Sequence, residues 1–591
     1  MKIINLKYYI LIFVVGLMTS CDDNQFLQEI NPNEISKANF WKDLSDTGAG
    51  LNATYKTLHG HTLLLKNQEI LRSDMGYPGY GRPIPNRVEN FHLHTYTQSS
   101  DETSDKWRTN YLGIFRANQV IEALLNLEGT VDDEAEWKSQ MAQARFFRGL
   151  FHYFLYTTYN GGSIILRDKV PVTKDEFAKG LSPAADVLAF VREDLEYAYV
   201  NLYKKGEYPD GDLSRVTSGA AGTILGSSYL QELNYSKAMT YFDDVINNHG
   251  YELEYDMSKL FTTAGEFNNE SIFEINFTSD NIDVSLAPWD GASGTNWLNQ
   301  LTSNSVKGAA FAPAWAVSAY KNEPMDPLDS RNYYPHPITG VQALRNVPLR
   351  ASAMIAIVDD YQTLYYEEPT TIYNKFHGTA WGFGYWKHHT NHDIYASESL
   401  LPDGTAFSSK NITINRLADV ILMQAECKIK TGQVDDALDL INDIRKRWGL
   451  VLLGSAGSDL GHSYDDEVYT AQSLMQHLMR VEKPLETSIE GNNIRFLDLL
   501  RWKKSEGYGL KERLTELSNT TFYAVHFQYL DSEGALKWKF NFPSIETEEP
   551  TSGLFKVIDY EFDISAENYD ETKNEYYLIP QSEINTNTGL N

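Results

Sequence analysis

GAAGTILGSSYLQELNYSKAMTYFDDV, residues 219–245, alternates small and bulky side chains at helical spacing. With Gly219 as the first position of a 34-residue helical repeat, Leu225, Gly226, Tyr229, Ala238, Phe242 and Val245 fall at positions 7, 8, 11, 20, 24 and 27. Asn234 and Tyr235 occupy the turn between the two helices. This is the tetratricopeptide register. Small residues at 8 and 20 let two helices approach closely, and bulky residues at 24 and 27 wedge against the next pair. Residues 418–446 repeat the logic, with Ala425 at 8, Gly432 in the turn, Ala437 at 20, Ile441 at 24 and Ile444 at 27.

Upstream, two apolar stripes predict helices over about 107–126 and 137–156. The first holds Trp107, Tyr111, Ile114, Phe115, Ile121 and Leu124, and the second Trp137, Met141, Ala144, Phe147, Phe151 and Phe154. Between the two repeats, residues 255–410 show little helical period apart from strand-like runs such as 271–277, and a second irregular stretch covers 520–574. Loops of that length inside a compact body are expected to build a functional surface. The predicted fold class is mainly α: a tetratricopeptide-like helical-repeat scaffold with large loop-rich insertions and a few short strands. No composition break divides residues 21–591, so they are expected to form a single domain.

Lys2 and Lys7 precede an apolar run from Tyr8 to Leu17, then Met18, Thr19, Ser20 and Cys21. The run is about half of what a membrane-crossing helix needs, so residues 1–20 read as a secretory signal. The tetrapeptide resembles a lipobox, which makes Cys21 the expected lipidated residue, held to a membrane by its acyl chains. Cys427 is then the remaining cysteine, and no internal disulfide is available. The formal charge of −29, with no run of lysines or arginines, argues against a nucleic-acid partner.

Several ordered motifs resemble the SusD/RagB group of outer-membrane lipoproteins. Residues 142–162, AQARFFRGLFHYFLYTTYNGG, look like the group's aromatic helix ending in a Tyr-Gly-Gly turn. Arg215-Val216-Thr217 and the 270–274 strand ESIFE are similar to segments around its central repeat. RLADVILMQAE (416–426), with Ile441, Asn442, Arg445 and Arg447 in its continuation, resembles its most recognisable helix; FLDLLRW (496–502) and YLIP (577–580) with Glu583-Ile584-Asn585 match later motifs. Met18 departs from the usual lipobox residue. The resemblance implies a lipid-anchored protein on the outer membrane, facing the cell exterior. Such a protein captures poly- or oligosaccharide and delivers it to a SusC-like TonB-dependent transporter. A RagB-like peptide carrier and a surface glycoside hydrolase are the alternatives.

A glycan site needs exposed aromatic platforms flanked by groups that form paired hydrogen bonds. Asp74, Tyr77, Tyr80 and Arg82 lie in a Gly/Pro-punctuated loop. Trp381, Phe383, Tyr385 and Trp386 come from WGFGYWKHH, whose glycines leave large rings little local cover. Trp289 and Trp297 form a third candidate. No zinc helix, phosphate loop, dinucleotide fingerprint or nucleophile elbow is present. His388, His389, His392 and Asp393 could ligate a metal, but read as an exposed polar loop. No enzyme activity, metal or cofactor is expected. The acidic runs 132–136 and 465–467 read as helix starts.

Overall fold

The structure is a computed structural model that describes residues 40–79, 82–83, 89–278, 309–371, 382–390, 392 and 408–590, apart from positions 337, 361, 367 and 532. Residues 1–20, expected to be a secretory signal, and Cys21 lie outside the described residues. Among the described residues the longer helices of the first half are α1 (Leu44–Lys56), α2 (Asp101–Leu127), α3 (Glu134–Thr158), α4 (Ala184–Asn201), α5 (Ser218–Gln231) and α6 (Tyr235–Asn248). After a short helix α7 (Ala314–Lys321) come α8 (Leu417–Lys430), α9 (Val434–Arg447), α10 (Ile494–Glu506), α11 (Leu510–Ser518) and, near the end, α12 (Gln581–Thr586).

From α2 to α6 each helix packs on the next in sequence, and α6 then packs directly on α8, which packs on α9. The two repeats identified in the sequence are therefore neighbours in one stack, although residues 249–416 separate them in the chain. Their internal register is as expected. A β-carbon at Gly226 would run into the Phe242 ring, so positions 8 and 24 of the first repeat touch directly. Asn234 caps α6 by accepting a hydrogen bond from the Lys237 amide. Helices α2 and α3 extend a few residues beyond their apolar stripes. Acidic first turns favour this, with Asp133 capping α3 through the Glu136 amide at 2.9 Å. Phe115, on the first apolar stripe, is 38% exposed. The 465–467 run begins no helix. Asp465 instead accepts hydrogen bonds from Gly454 and Glu467 in a loop, and the next helix starts at Ala471.

The long insertion enters and leaves through one antiparallel pair, β2 (Ser271–Ile275) and β6 (Ile412–Arg416), which runs from Ile412 opposite Ile275 to Arg416 opposite Ser271 with a local irregularity at Asn415. Strand β6 runs straight into α8. Shorter strands lie outside this stem, among them β1 (Tyr77–Pro78) before it, and β3 (Ala310–Phe311), β4 (Ile355–Ile357) and β5 (Gly384–Trp386) within the loop it closes. The 520–574 region, read as irregular, contains a three-stranded antiparallel sheet in the order β8–β7–β9, from β7 (Phe522–Leu530), β8 (Leu536–Glu546) and β9 (Phe555–Ile558).

Under the stem lies a buried ionic network. Arg416 reaches Glu270 at 2.6 Å, Glu486 at 2.7 Å and both oxygens of Glu490 at 2.7 and 2.8 Å. Arg447 pairs with Glu270 and Glu486, while Arg350 from the insertion and Arg445 from α9 share Glu482.

Burial also holds seven imidazoles, His59, His92, His94, His152, His388, His389 and His392, below the ordinary histidine range. It pushes the carboxyls of Glu89, Glu323 and Glu490 up to about 7. Between pH 4.5 and 6.5 the unfolded chain gains protons on those histidines that the folded chain refuses, whereas the three carboxyls act in the opposite sense and are fewer. Stability is therefore expected to fall as pH drops through this window, by roughly 3–5 kcal/mol per pH unit at the steepest. Urea midpoints at stepped pH check this, and a profile flat or rising toward pH 5 contradicts it.

Candidate functional site

Strands from four separated parts of the chain meet at one place. Tyr77 and Pro78 of β1 pair with Phe311 and Ala310 of β3, and the Gly79 amide donates to the Ala309 carbonyl at 2.8 Å. Ile355 and Ile357 of β4 pair with Trp386 and Gly384 of β5, and the Ala312 amide closes the junction by donating to the Gly384 carbonyl at 3.2 Å. Gly382 backs so closely on Phe311 that a β-carbon there would sit 2.8 Å from its ring.

The side chains expected to bind ligand are mostly the buried base of this junction. Asp74 is fully enclosed and accepts from Arg495 at 2.9 and 2.8 Å and from Arg513 at 2.9 Å. These two guanidiniums outweigh the cost of burial and hold its carboxyl down at about 2. Tyr77 is 1% exposed and packs edge-on against His92. The Arg82 guanidinium lies between the rings of Tyr77 and Phe383, 4.3 Å from each centroid, and pairs with Glu561. Tyr385 lies parallel to Tyr365, with ring centroids 6.3 Å apart, and meets Phe311 edge-on. Trp386 is likewise buried, against Tyr320 and His388.

A stacking platform needs an open ring face, so Asp74, Tyr77, Tyr385 and Trp386 are corrected from ligand contacts to packing residues, and the buried Arg82 side chain with them. The glycines of WGFGYWKHH do not leave Phe383, Tyr385 and Trp386 bare, because Phe311, Tyr365 and Tyr320, all distant in sequence, help to bury them. His388, His389 and His392 are also buried rather than on an exposed loop. Among the described residues no group of three His, Cys, Asp or Glu side chains is arranged to hold a metal ion.

Tyr80, Trp289, Trp297 and Trp381 lie outside the described residues. Each segment that carries them has at least one described end on this junction: Gly79 and Arg82 for the first, Ala309 for the second and Gly382 for the third.

The sheet β7–β9 adds aromatics that the sequence reading passed over. Trp538 and Phe540 of β8 are 50% and 62% exposed, with Trp538 opposite Gln528 of β7. Alternation in LKWKF, residues 536–540, carried that signal. The base of β8 packs on the insertion, where the Ser544 hydroxyl donates to Asp359 at 2.8 Å and Lys321 of α7 reaches Asp359 and Glu546, both at 2.9 Å.

Replacing Trp386 by alanine is expected to lower stability by about 3–5 kcal/mol, as for a buried aromatic. Trp538→Ala, at a half-exposed ring, is expected to stay within about 0.5 kcal/mol of the parent. Parallel urea titrations test the pair, and equal losses would mean that the junction is not a packed core.

A SusD-like protein of Formosa agariphila is 24% identical over 465 residues, 76% of this chain and 82% of that one. A crystal structure of a SusD superfamily protein from Bacteroides vulgatus superposes with a TM-score of 0.64 at 19% identity, covering 93% of this chain and 99% of that one. A laminarin-binding SusD-like protein superposes at 0.58 with 19% identity, covering 80% and 93%. A profile described as starch-binding and associating with the outer membrane matches residues 79–230. The SusD family profile matches residues 269–591, more than half of the sequence, and with the stacked repeats and their insertion it establishes that this chain belongs to the SusD family.

Proposed function

We propose that the chain is a non-catalytic cell-surface binding protein that captures poly- or oligosaccharide and passes it to a SusC-like TonB-dependent transporter, anchored to the outer membrane through lipid on Cys21. The observation that carries the reading is the buried junction of β1, β3, β4 and β5, from which the segments bearing Tyr80, Trp289, Trp297 and Trp381 depart. A rigid base below aromatic loops is the arrangement that stacking recognition needs, because the rings must be held in place before the ligand arrives. Family membership supports it, and so does the laminarin-binding relative of the same fold.

In this reading Tyr80, Trp289, Trp297 and Trp381 supply the stacking faces. Asp74, Tyr77, Arg82, Tyr385 and Trp386 hold the base from which their segments depart. The mechanism is recognition alone: ring faces provide contact area, polar edges select linkage and epimer, and the transporter supplies the energy of import.

A screen of the chain from Asp22 onward against glycans and peptides, with reducing-sugar release followed in the same wells, tests this. Binding of one polysaccharide class without product is expected, and Trp381→Ala or Tyr80→Ala should each weaken it about two- to tenfold. Product release would make the protein a hydrolase. Peptide-only binding would place it on the RagB-like branch, and unchanged binding by both variants would move the site elsewhere.

A further inference from the structure

A cavity of about 390 Å³ opens between α2, the 165–177 segment and α12, elements that take no part in the β1–β3–β4–β5 junction. Its size is that of a small-ligand site. One wall is the half-buried Tyr111, backed by the buried Trp107, with ring centroids 4.8 Å apart and planes tilted by 55°. Phe115 and Phe177 line it further, 38% and 57% exposed.

Polar contacts fix the wall. Trp107 Nε1 donates to Glu583 Oε2 at 3.2 Å, and the Tyr111 hydroxyl donates to the Ile165 carbonyl at 2.7 Å while accepting from its amide at 3.0 Å. Neither ring can turn inward to fill the space without breaking these bonds.

The polar groups decide what the cavity would take. Glu583 keeps acceptor capacity beyond the bonds from Trp107 and Asn587, and the hydroxyls of Ser104 and Ser582 stand 3.4 Å apart beside it. The nearby cations are already engaged: Arg108 with Asp105, Lys169 with Glu176, and Arg167 with the carbonyls of Glu176 and Phe177. A purely aliphatic guest would strip water from the Glu583 carboxylate with nothing in return, and an anionic guest would meet that carboxylate directly. An uncharged guest with C–H faces for the rings and hydroxyls for the carboxylate satisfies both walls.

We propose that this cavity is a second, separate carbohydrate subsite that holds the end one or two rings of an uncharged oligosaccharide. It stands on its own residues and does not need the loop-borne platform to be correct.

The test uses the full chain labelled with 5-fluorotryptophan, with the Trp107 signal assigned through Trp107→Phe. A panel of di- to tetrasaccharides of glucose, galactose, mannose and xylose is titrated while the fluorine spectrum is followed, and a mixture of short peptides is run in parallel. At least one sugar is expected to shift the Trp107 signal. The variant carrying Phe115→Ala and Phe177→Ala, both at exposed positions, is expected to weaken that response about three- to tenfold, whereas Trp381→Ala leaves it unchanged. The proposal is overturned if no sugar moves the signal, if only peptides do, or if the double variant responds like the parent. Loss of the response in Trp381→Ala would also overturn it, because the two sites would then be one.

Discussion

The carboxylate of Glu486 is the point on which the molecule is assembled. It accepts from Arg416 at the mouth of the insertion, from Arg447 at the end of the second repeat and from the Trp448 indole at 2.7 Å. Glu270, one residue before the stem, shares two of those arginines, and Glu482 draws in Arg350 from inside the insertion. Removing so many charges from water is costly, and the cost is offset only when every partner is present and well placed. The helical stack, the stem, the insertion and the 478–490 segment must therefore dock together. A strand slip at the stem would move Arg416 off its partners, so the network also fixes the register of β6 against β2.

The stack was legible because its evidence is local. Gly226 and Phe242 stand sixteen positions apart in one hairpin, and their size complementarity is visible without knowing anything else about the chain. The site was read less well because its evidence is long-range. Asp74 looks like a ligand contact within its own loop, and the guanidiniums that claim it, on Arg495 and Arg513, stand 421 and 439 positions away. Tyr385 and Trp386 mislead for the same reason: exposure depends on what covers a segment, and Phe311 and Ile355 of distant strands lie against theirs. Trp538 and Phe540 were legible and passed over, since the two-residue period of a short ribbon is easily lost inside a stretch taken as loop.

The aromatics divide into two populations with different physics. Those of the junction, such as Tyr77, Phe311, Tyr365 and Tyr385, gain from burial and from edge-on or parallel contacts with each other, and make the base stiff. Those on the exposed ribbon, Trp538 and Phe540, forgo that burial, and their ring faces stay available.

Because α6 and α8 pack on each other directly, the 136 positions from 276 to 411 form an excursion closed at its neck by β2 and β6. The entropy of closing a loop grows only with the logarithm of its length, so lengthening the outer part of such an excursion costs little once the neck is paired. The neck thus divides the sequence by constraint. Arg350 of the insertion and the strands β3, β4 and β5 are held by many partners at once, so changes of length are tolerated best in the stretches that lie between them.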